Sequence, residues 1–350
     1  MDKLKENNRI AYLDYLRILA ALAIVFIHMS AQNWYGESYT SSNFHIMLAY
    51  DCLSVWGVPV FVMISGALFL SRDISVKKIY TKNILRLLCA FIFWGIVYVL
   101  LAGKLPVKEI VFGIVYGHYH MWFILMIIGL YMATPILREV VKSETLTRYY
   151  LIISGLITIV IPTLITMAIV FNIPYFLTIQ DIFNRNLTAM EFPSFLGYSF
   201  FYVLGHYINN KTISRKSEIT IYVLSIVALV ATYFLSIAAS IHYETPATNF
   251  IFYKTINVAI YSVGIFVFFK NHCNKTFKLT PMLIYISSCT FGIYLIHLKI
   301  SELFNQYFGI NTLSMNPIIT IPLLSVLYFL ISLGVVAIIK LIPIAKKYIV

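Results

Sequence analysis

Residues 10–31 read IAYLDYLRILAALAIVFIHMSA, and this stretch decides what kind of protein the chain forms. It is long enough to cross a bilayer, since a membrane-spanning helix needs about 20 mostly apolar residues. Two charged residues lie near its beginning and a histidine lies near its end. No small-residue cleavage site follows it, so we expect a permanent membrane span and not a removable signal peptide.

The composition of the whole chain agrees with that stretch. Of 350 residues, 60% are hydrophobic and 11% are charged, whereas soluble domains are about 45–50% apolar and about 25% charged. This excludes a disordered chain, a secreted disulfide scaffold and a soluble enzyme with a single core. The four cysteines are widely spaced without a CxxC pair, which indicates neither a metal site nor a disulfide framework.

Ten apolar segments predict an all-α integral membrane protein with about ten transmembrane helices. No segment shows the alternating pattern of a membrane β-barrel. The predicted spans are 10–31, 46–70, 84–103, 119–137, 150–171, 194–209, 219–240, 250–269, 282–303 and 317–339. Because no linker or repeat divides the chain, we expect one transmembrane domain over residues 1–350 with no appended soluble domain.

The positive charges predict the orientation of these spans. With the N-terminus inside, twenty of the 26 Lys and Arg residues fall in inside segments. The outside segments carry Lys104, Lys108, Arg185 and Lys254, and Arg17 and Lys299 lie within spans. Basic residues concentrate in cytoplasmic loops, so we expect both termini to be cytoplasmic. The same rule explains the net charge of +12 without invoking nucleic acid.

The spacing of Arg17 and His28 places two polar side chains of the first span on one face of the helix. Eleven residues correspond to about 1100° of turn, roughly 20° from three full turns, and to about 16 Å along the axis. Both side chains therefore share one face, and Asp14 lies within ion-pair reach of Arg17. Charged residues within a span mark function by default. The alternative is that Arg17 snorkels to the inner interface and His28 caps the outer end.

The run YLDYLRILAALAIVFIH, residues 12–28, resembles the opening helix of the acyltransferase-3 family of membrane acyltransferases, whose signature is an Arg, ten residues and a His. Further resemblances follow in the family's order: PVFVMISGAL at 59–68, KNILRL at 82–87, HMWF at 120–123, Thr134-Pro135, and TFGIYLIH at 290–297. The chain departs from the family at Asn83, where a second Arg is common. The resemblance therefore supports Arg86 directly and leaves the role of Lys82 open.

The resemblance implies an enzyme of a bacterial cytoplasmic membrane that takes an acyl group from cytoplasmic acyl-CoA. Acetyl-CoA is the donor it implies first, and the acceptor is a hydroxyl of a cell-surface polysaccharide or of its lipid-linked precursor. The expected partners are thus acyl-CoA, a glycan or lipid-linked sugar, and membrane lipid. Neither nucleic acid nor a metal ion is expected.

The predicted topology fits this implied activity. Arg17, Lys82 and Arg86 lie at the inner face, where they could bind the phosphates of coenzyme A. His28 lies one pantetheine-like reach deeper, and His120 and His297 fall in the same outer half of the membrane. The three histidines are therefore expected to line one cavity.

Transfer from a thioester to a hydroxyl needs a base for the hydroxyl proton and donors for the developing oxyanion. Histidine suits the first task because its unperturbed pKa is near neutrality, and we expect His28 to be the base. Tyr294, Ser65 or His120 could be the oxyanion donor, and an acyl intermediate on Ser65 stays open. The predicted catalytic residues are His28, Arg17, His120, Tyr294 and His297, and the predicted donor-binding residues are Arg17, Lys82, Arg86 and Ser65.

Two other functions fit a polytopic chain with intramembrane polar residues. A transporter or exporter of a glycan or acylated product is one, and a ligand-binding sensor or scaffold is the other. Basic residues with a histidine three turns deeper in the same helix favour an acyl-CoA enzyme. Among the remaining polar residues, Glu302 is either a surface charge or an acceptor contact, and Lys299 is expected to snorkel outward. Trp122 is either a packing residue or a platform for the acceptor.

Overall fold

The computed structural model describes residues 9–103, 106–190, 196–276 and 280–350, with the side chains of 274–276 excepted. Within these ranges every regular element is a helix, which confirms the all-α prediction. The α-helices longer than one turn are α1 (Ala11–Ser30), α2 (Ser42–Ser54), α3 (Gly57–Phe69), α4 (Leu85–Leu101), α5 (Val107–Tyr116), α6 (Trp122–Lys142), α7 (Glu144–Gly155), α8 (Ile161–Val170), α9 (Phe176–Ala189), α10 (Ser199–Asn210), α11 (Arg215–Tyr243), α12 (Ile256–Thr276), α13 (Pro281–Phe308), α14 (Pro317–Ile339) and α15 (Pro343–Tyr348). A π-helical segment, Ile79–Ile84, leads into α4, and another, Leu156–Val160, joins α7 to α8.

Nine helical segments in the described part of the chain are long and apolar enough to cross a membrane. The protein is therefore a multi-pass membrane protein, and nine of the ten predicted spans have a counterpart. The exception is the sixth span, predicted at 194–209. There α10 begins only at Ser199 and runs for 12 residues, and residues 194 and 195 lie outside the described ranges.

Contacts between α1 and α13 show that α10 must still count as a crossing. Arg17 Nη1 lies 3.4 Å from Ser287 Oγ, and Gln32 Nε2 lies 3.2 Å from Ser301 Oγ. The two helices therefore run parallel. If successive spans alternate in direction, the nine long segments alone would make α13 antiparallel to α1. One more crossing is needed among the described residues, and α10 supplies it, in agreement with about ten spans.

The direction in which the bundle faces the cytoplasm stays a prediction. Several charges used to predict it, Lys3, Lys5, Lys104 and Lys278 and the side chain of Lys275, lie outside the described residues. We therefore name the two ends of the bundle by their residues. The arginine end is the end at which Arg17 and Ser287 meet, and the histidine end is the end that holds His28.

The first helix lies at the centre of the bundle. It contacts α2, α3, α12, α13 and α14, and Leu16, Ala20 and Val25 are fully buried. Its alanines allow close packing: a Cβ on Gly57 at the start of α3 would lie 3.0 Å from the Ala20 carbonyl oxygen. This central position gives α1 contact with α3 and α13, two of the helices that build the site.

The closest helix contact in the fold joins α3 to α10 through two glycines. A Cβ on Gly66 would lie 1.7 Å from the carbonyl oxygen of Tyr202, and a Cβ on Gly205 would lie 2.1 Å from that of Met63. The backbones thus touch with no side chain between them, as small residues permit in membrane helices. This contact fixes α3, one wall of the cavity described next.

Candidate active site

A cavity of about 330 Å³ opens among α1, α3, α4, α6 and α13. Its walls include four of the predicted site residues, Arg17, Ser65, Arg86 and Tyr294. The other lining residues are mostly apolar and come from the same helices, apart from Asn83 in the π-helical segment before α4. Ile24 and Tyr294 lie at its far end, one helical turn before His28 and His297 respectively. The cavity therefore starts at the arginine end and stops next to the histidines.

Arg17 is held at the mouth of the cavity by a buried carboxylate. Its Nη1 lies 3.5 Å from Asp14 Oδ1 and 3.4 Å from Ser287 Oγ, and Ser287 in turn donates to Asp14. The predicted ion pair is confirmed. The side chain of Arg17 is only 25% exposed, so it does not snorkel free of the protein. Anchored in this way, the guanidinium keeps donors available to an anion in the cavity.

Arg86 of α4 also lines the cavity and has an unused donor. Its Nη2 donates to the Val350 backbone oxygen at 2.8 Å, and its guanidinium lies 5.5 Å from the centre of the Phe291 ring. Its Nε is buried and has no hydrogen-bond partner among the described residues. A buried donor without a partner is costly unless a ligand satisfies it. A phosphate oxygen would be a suitable partner.

Lys82 does not line the cavity with Arg86. It is exposed and is absent from the cavity lining, whereas its neighbour Asn83 is part of that lining. A third cation lies nearby instead: Lys340 donates to the Ser288 carbonyl oxygen at 2.7 Å and to Ser288 Oγ at 2.8 Å. Burial lowers the pKa of Lys340. The sequence indicated Lys340 only as a charge following the last span.

The three predicted histidines form a cluster at the histidine end. The ring centres of His28 and His297 are 5.1 Å apart, those of His28 and His120 are 6.1 Å apart, and those of His120 and His297 are 5.8 Å apart. The three rings therefore meet, but none of them is in the lining of the cavity, so the expectation that they line one cavity stays a prediction. Tyr294 connects the cavity to the histidine cluster, because it lines the cavity and its ring centre is 5.2 Å from that of His120.

Two of these imidazoles have a buried ring nitrogen without a hydrogen-bond partner among the described residues. His120 is 2% exposed and His297 is fully buried, and in both rings the nitrogen concerned is Nε2. His297 Nδ1 lies 3.1 Å from the Ile293 carbonyl oxygen. Because a carbonyl only accepts, the Nδ1 of neutral His297 carries the proton and its Nε2 is a bare acceptor.

Two of the three predicted oxyanion donors, Tyr294 and Ser65, already donate to backbone carbonyls. The Tyr294 hydroxyl donates to the His120 carbonyl oxygen at 2.6 Å, and Ser65 Oγ donates to the Phe61 carbonyl oxygen at 3.0 Å. Each hydroxyl would have to exchange that bond for one to the substrate. Neither serine nor tyrosine is thus a preformed donor in this structure.

The chain matches the family model of an acyltransferase domain over residues 10–340, which is nearly its whole length and includes both ends of the site. The chain belongs to the acyltransferase-3 family. It is therefore a membrane acyltransferase. No curated protein and no solved structure gives a significant match.

Sequence reasoning missed a second group of residues in this acyltransferase, next to His120. His118 Nδ1 lies 2.9 Å from His120 Nδ1, and His118 Nε2 lies 3.0 Å from Glu302 Oε1. Lys299 pairs with Glu302 and lies over the Tyr98 ring. The expectation that Lys299 snorkels outward is wrong, since it is 7% exposed. Only the three-residue spacing of Lys299 and Glu302 could have indicated this pair.

Trp122 of the acyltransferase lies in an aromatic group near the same end. Its ring stacks on Tyr253 with the centres 5.8 Å apart, and it lies 5.5 Å from Tyr198. It is 37% exposed, so packing and acceptor contact both stay open. Among the described residues, no set of three or more His, Cys, Asp and Glu side chains is placed to hold a metal ion; the absence of a metal stays a prediction.

Proposed function

We propose that this acyltransferase moves an acyl group, acetyl in the simplest case, from cytoplasmic acyl-CoA to a hydroxyl of a cell-surface glycan or of its lipid-linked precursor. The membrane would be the plasma membrane of a bacterium, with the arginine end facing the cytoplasm. In this proposal the arginine end binds the acyl-CoA, and the histidine end takes the proton of the acceptor hydroxyl.

The observation that carries this proposal is the path of the cavity. It begins between Arg17 and Arg86 and ends at Tyr294, whose ring contacts the histidine cluster. Phosphates of coenzyme A would bind the guanidiniums. The arm of the donor would follow the apolar walls, and its thioester would reach the histidines about three helical turns away.

His28 is the proposed general base. The acceptor hydroxyl oxygen attacks the thioester carbonyl carbon while His28 takes the hydroxyl proton. The tetrahedral intermediate then collapses, the carbon–sulfur bond breaks, and the coenzyme A thiolate leaves and takes the proton from His28. Tyr294 and Ser65 are the nearest hydroxyls that could turn from their backbone carbonyls to the oxyanion.

The test uses the purified full-length protein in nanodiscs with acetyl-CoA, alongside the variants His28→Ala and Arg17→Ala. We expect slow release of free thiol that depends on His28, and binding of acetyl-CoA that depends on Arg17. Succinyl-CoA in the same assay tests the choice of acyl group. If folded wild-type protein bound neither acetyl-CoA nor succinyl-CoA, the proposal would fail. Transport of a glycan or acylated product would then be the better hypothesis.

A further inference from the structure

A chain of hydrogen bonds reaches His120 from the edge of the histidine end. Glu302 Oε1 lies 3.0 Å from His118 Nε2, and His118 Nδ1 lies 2.9 Å from His120 Nδ1. The other oxygen of Glu302, Oε2, pairs with the Lys299 ammonium. A carboxylate and two imidazoles are thus linked in series, and the last of them belongs to the histidine cluster.

The type of each group dictates where the protons of this chain lie. An ionised carboxylate only accepts, so His118 Nε2 must carry the proton that it donates to Glu302. The Nδ1 of neutral His118 is then bare and can only accept, so the proton between the two rings belongs to His120 Nδ1. Neutral His120 is left with a bare Nε2. This is the nitrogen that is buried without a partner.

The Glu302 carboxylate beside His118 already has a counter-cation. Glu302 is already balanced by Lys299, whose side chain is only 8% exposed and therefore needs a counter-charge. A proton added to His118 would place a second cation beside a single carboxylate, where the other facing groups, His28, His120 and Tyr98, carry no compensating charge. Burying an unpaired charge is costly.

Tyr98 of α4 holds this arrangement in place. Its ring stacks on that of His118, with the ring centres 4.2 Å apart and the ring planes 23° apart. The ammonium of Lys299, a residue of α13, lies 4.6 Å from the centre of the Tyr98 ring. The Tyr98 hydroxyl donates to the Leu295 carbonyl oxygen at 3.0 Å and accepts from the Lys299 backbone N–H at 3.2 Å. The orientation of the His118 ring is therefore fixed by packing as well as by Glu302.

We propose that Glu302 and His118 are positioning residues that keep the His120 imidazole in the tautomer with a proton on Nδ1 and a lone pair on Nε2. Together with the bare Nε2 of His297, this gives the histidine cluster two acceptors for the hydrogen-bond donors of an acceptor molecule. The hydroxyl that reacts then gives its proton to His28, and neighbouring hydroxyls of the same molecule bind His120 and His297. This consequence rests on the proposed function, whereas the tautomer does not.

The direct test is nitrogen NMR of the full-length protein in nanodiscs, with only histidines labelled with ¹⁵N. The spectrum of His120→Gln identifies the His120 signals by difference. We expect the wild-type signals of a neutral ring protonated at Nδ1, and a shift toward the Nε2-protonated form in Glu302→Ala. A wild-type His120 protonated at Nε2, or a His120 unaffected by Glu302→Ala, would overturn the proposal.

The kinetic test is thiol release from acetyl-CoA, in which water is the acceptor: it gives one proton to His28 and donates its other O–H to His120 Nε2. We expect Glu302→Ala to lower kcat by about 10- to 100-fold, the loss that removal of a hydrogen-bonded partner causes behind a metal-ligating histidine. KM for acetyl-CoA should not change, because Arg17 and Arg86 lie at the other end of the cavity. Glu302→Asp should recover part of the rate, since it restores an acceptor-only group. Equal changes of kcat and KM would indicate a structural role and contradict the proposal.

Two further variants keep these tests decisive. Glu302→Gln preserves the shape of the side chain in case Glu302→Ala does not fold, and its amide can either donate or accept, so we expect a mixture of His120 tautomers. Glu139→Ala removes an exposed acid paired with Lys142 at 2.6 Å and should change neither signal nor rate. If wild-type protein released no thiol, the proposed function would fail while the NMR test would still decide the tautomer.

Discussion

The two ends of the cavity use charge in opposite ways. At the arginine end, Arg17 pairs with the buried carboxylate of Asp14, and Arg86 has a buried donor without a hydrogen-bond partner among the described residues. At the histidine end, Glu302 is matched by Lys299, and the free groups are bare imidazole nitrogens. One end has donors to spare and the other has acceptors to spare. An anion fits the first, and a group that must lose a proton fits the second.

The largest expected effect tests the histidine end. We expect His28→Ala to lower kcat by about 10²- to 10⁴-fold, because it removes the proposed general base. The dissociation constant for acetyl-CoA should stay unchanged, since the arginines are intact. Rates from thiol release and binding by calorimetry, measured on the same preparation, separate these two quantities.

His242→Ala is the matched control for that experiment. Its ring contacts Tyr243 at the end of α11, and we expect ordinary activity. The amount of each variant in the membrane must match wild type, because a destabilised variant also loses activity. Ordinary activity of a folded His28→Ala variant would remove His28 from the chemistry and leave the two ends without their proposed division of tasks.

The next effect in size concerns Arg17. We expect Arg17→Ala to weaken acetyl-CoA binding by about 10- to 100-fold, as loss of a charge-assisted hydrogen bond of about 1.5–3 kcal/mol implies. Thiol release at saturating acetyl-CoA should change much less. Arg17→Lys should recover only part of the affinity, because an ammonium lacks the planar fork of a guanidinium. Unchanged affinity in both variants would mean that the donor does not bind there.

Arg86 should have a smaller effect of the same kind. Its Nη2 is already engaged by the Val350 oxygen at 2.8 Å, so fewer of its donors are available. We expect Arg86→Ala to weaken binding by about 3- to 10-fold, or roughly 1 kcal/mol. Binding measured over a salt series checks that the lost interaction is ionic. A larger loss than that of Arg17→Ala would reverse the assigned order of the two arginines.

The smallest expected effect distinguishes Lys82 from Asn83. Lys82 is exposed and outside the cavity lining, and exposed charges contribute little. We expect Lys82→Ala to change acetyl-CoA affinity less than about twofold, and Asn83→Ala to change it more. The reverse order, measured by the same binding assay, would place the phosphates nearer the surface than the cavity suggests.

Much of the fold and part of the site were predictable because they depend on local pattern. Apolar runs indicate spans, and a spacing of eleven residues puts Arg17 and His28 on one face of any α-helix. The burial of Lys299 and the participation of His118 were not predictable. They depend on Tyr98 of α4, which lies 201 positions from Lys299 and 20 positions from His118 in the chain.

The sixth span shows the same limit in the fold. Its helix is short, and its place in the bundle depends on the contact that Gly205 makes with α3. No sum of apolar residues over a window reports a contact of that kind. The apolar run at 194–209 predicted the crossing, and the parallel course of α1 and α13 agrees with it; the glycine contact itself was not predictable.

The contact of Gly66 and Gly205 has a mechanical consequence. Because α3 and α10 touch backbone to backbone, neither helix can tilt or slide without carrying the other with it. Ser65 lies on α3 in the wall of the cavity, so we expect that wall and α10 to move as one rigid unit. Rocking of helices past each other, on which alternating-access transport depends, would have to occur elsewhere in the bundle. A substrate that enters this cavity meets a wall whose shape is already set.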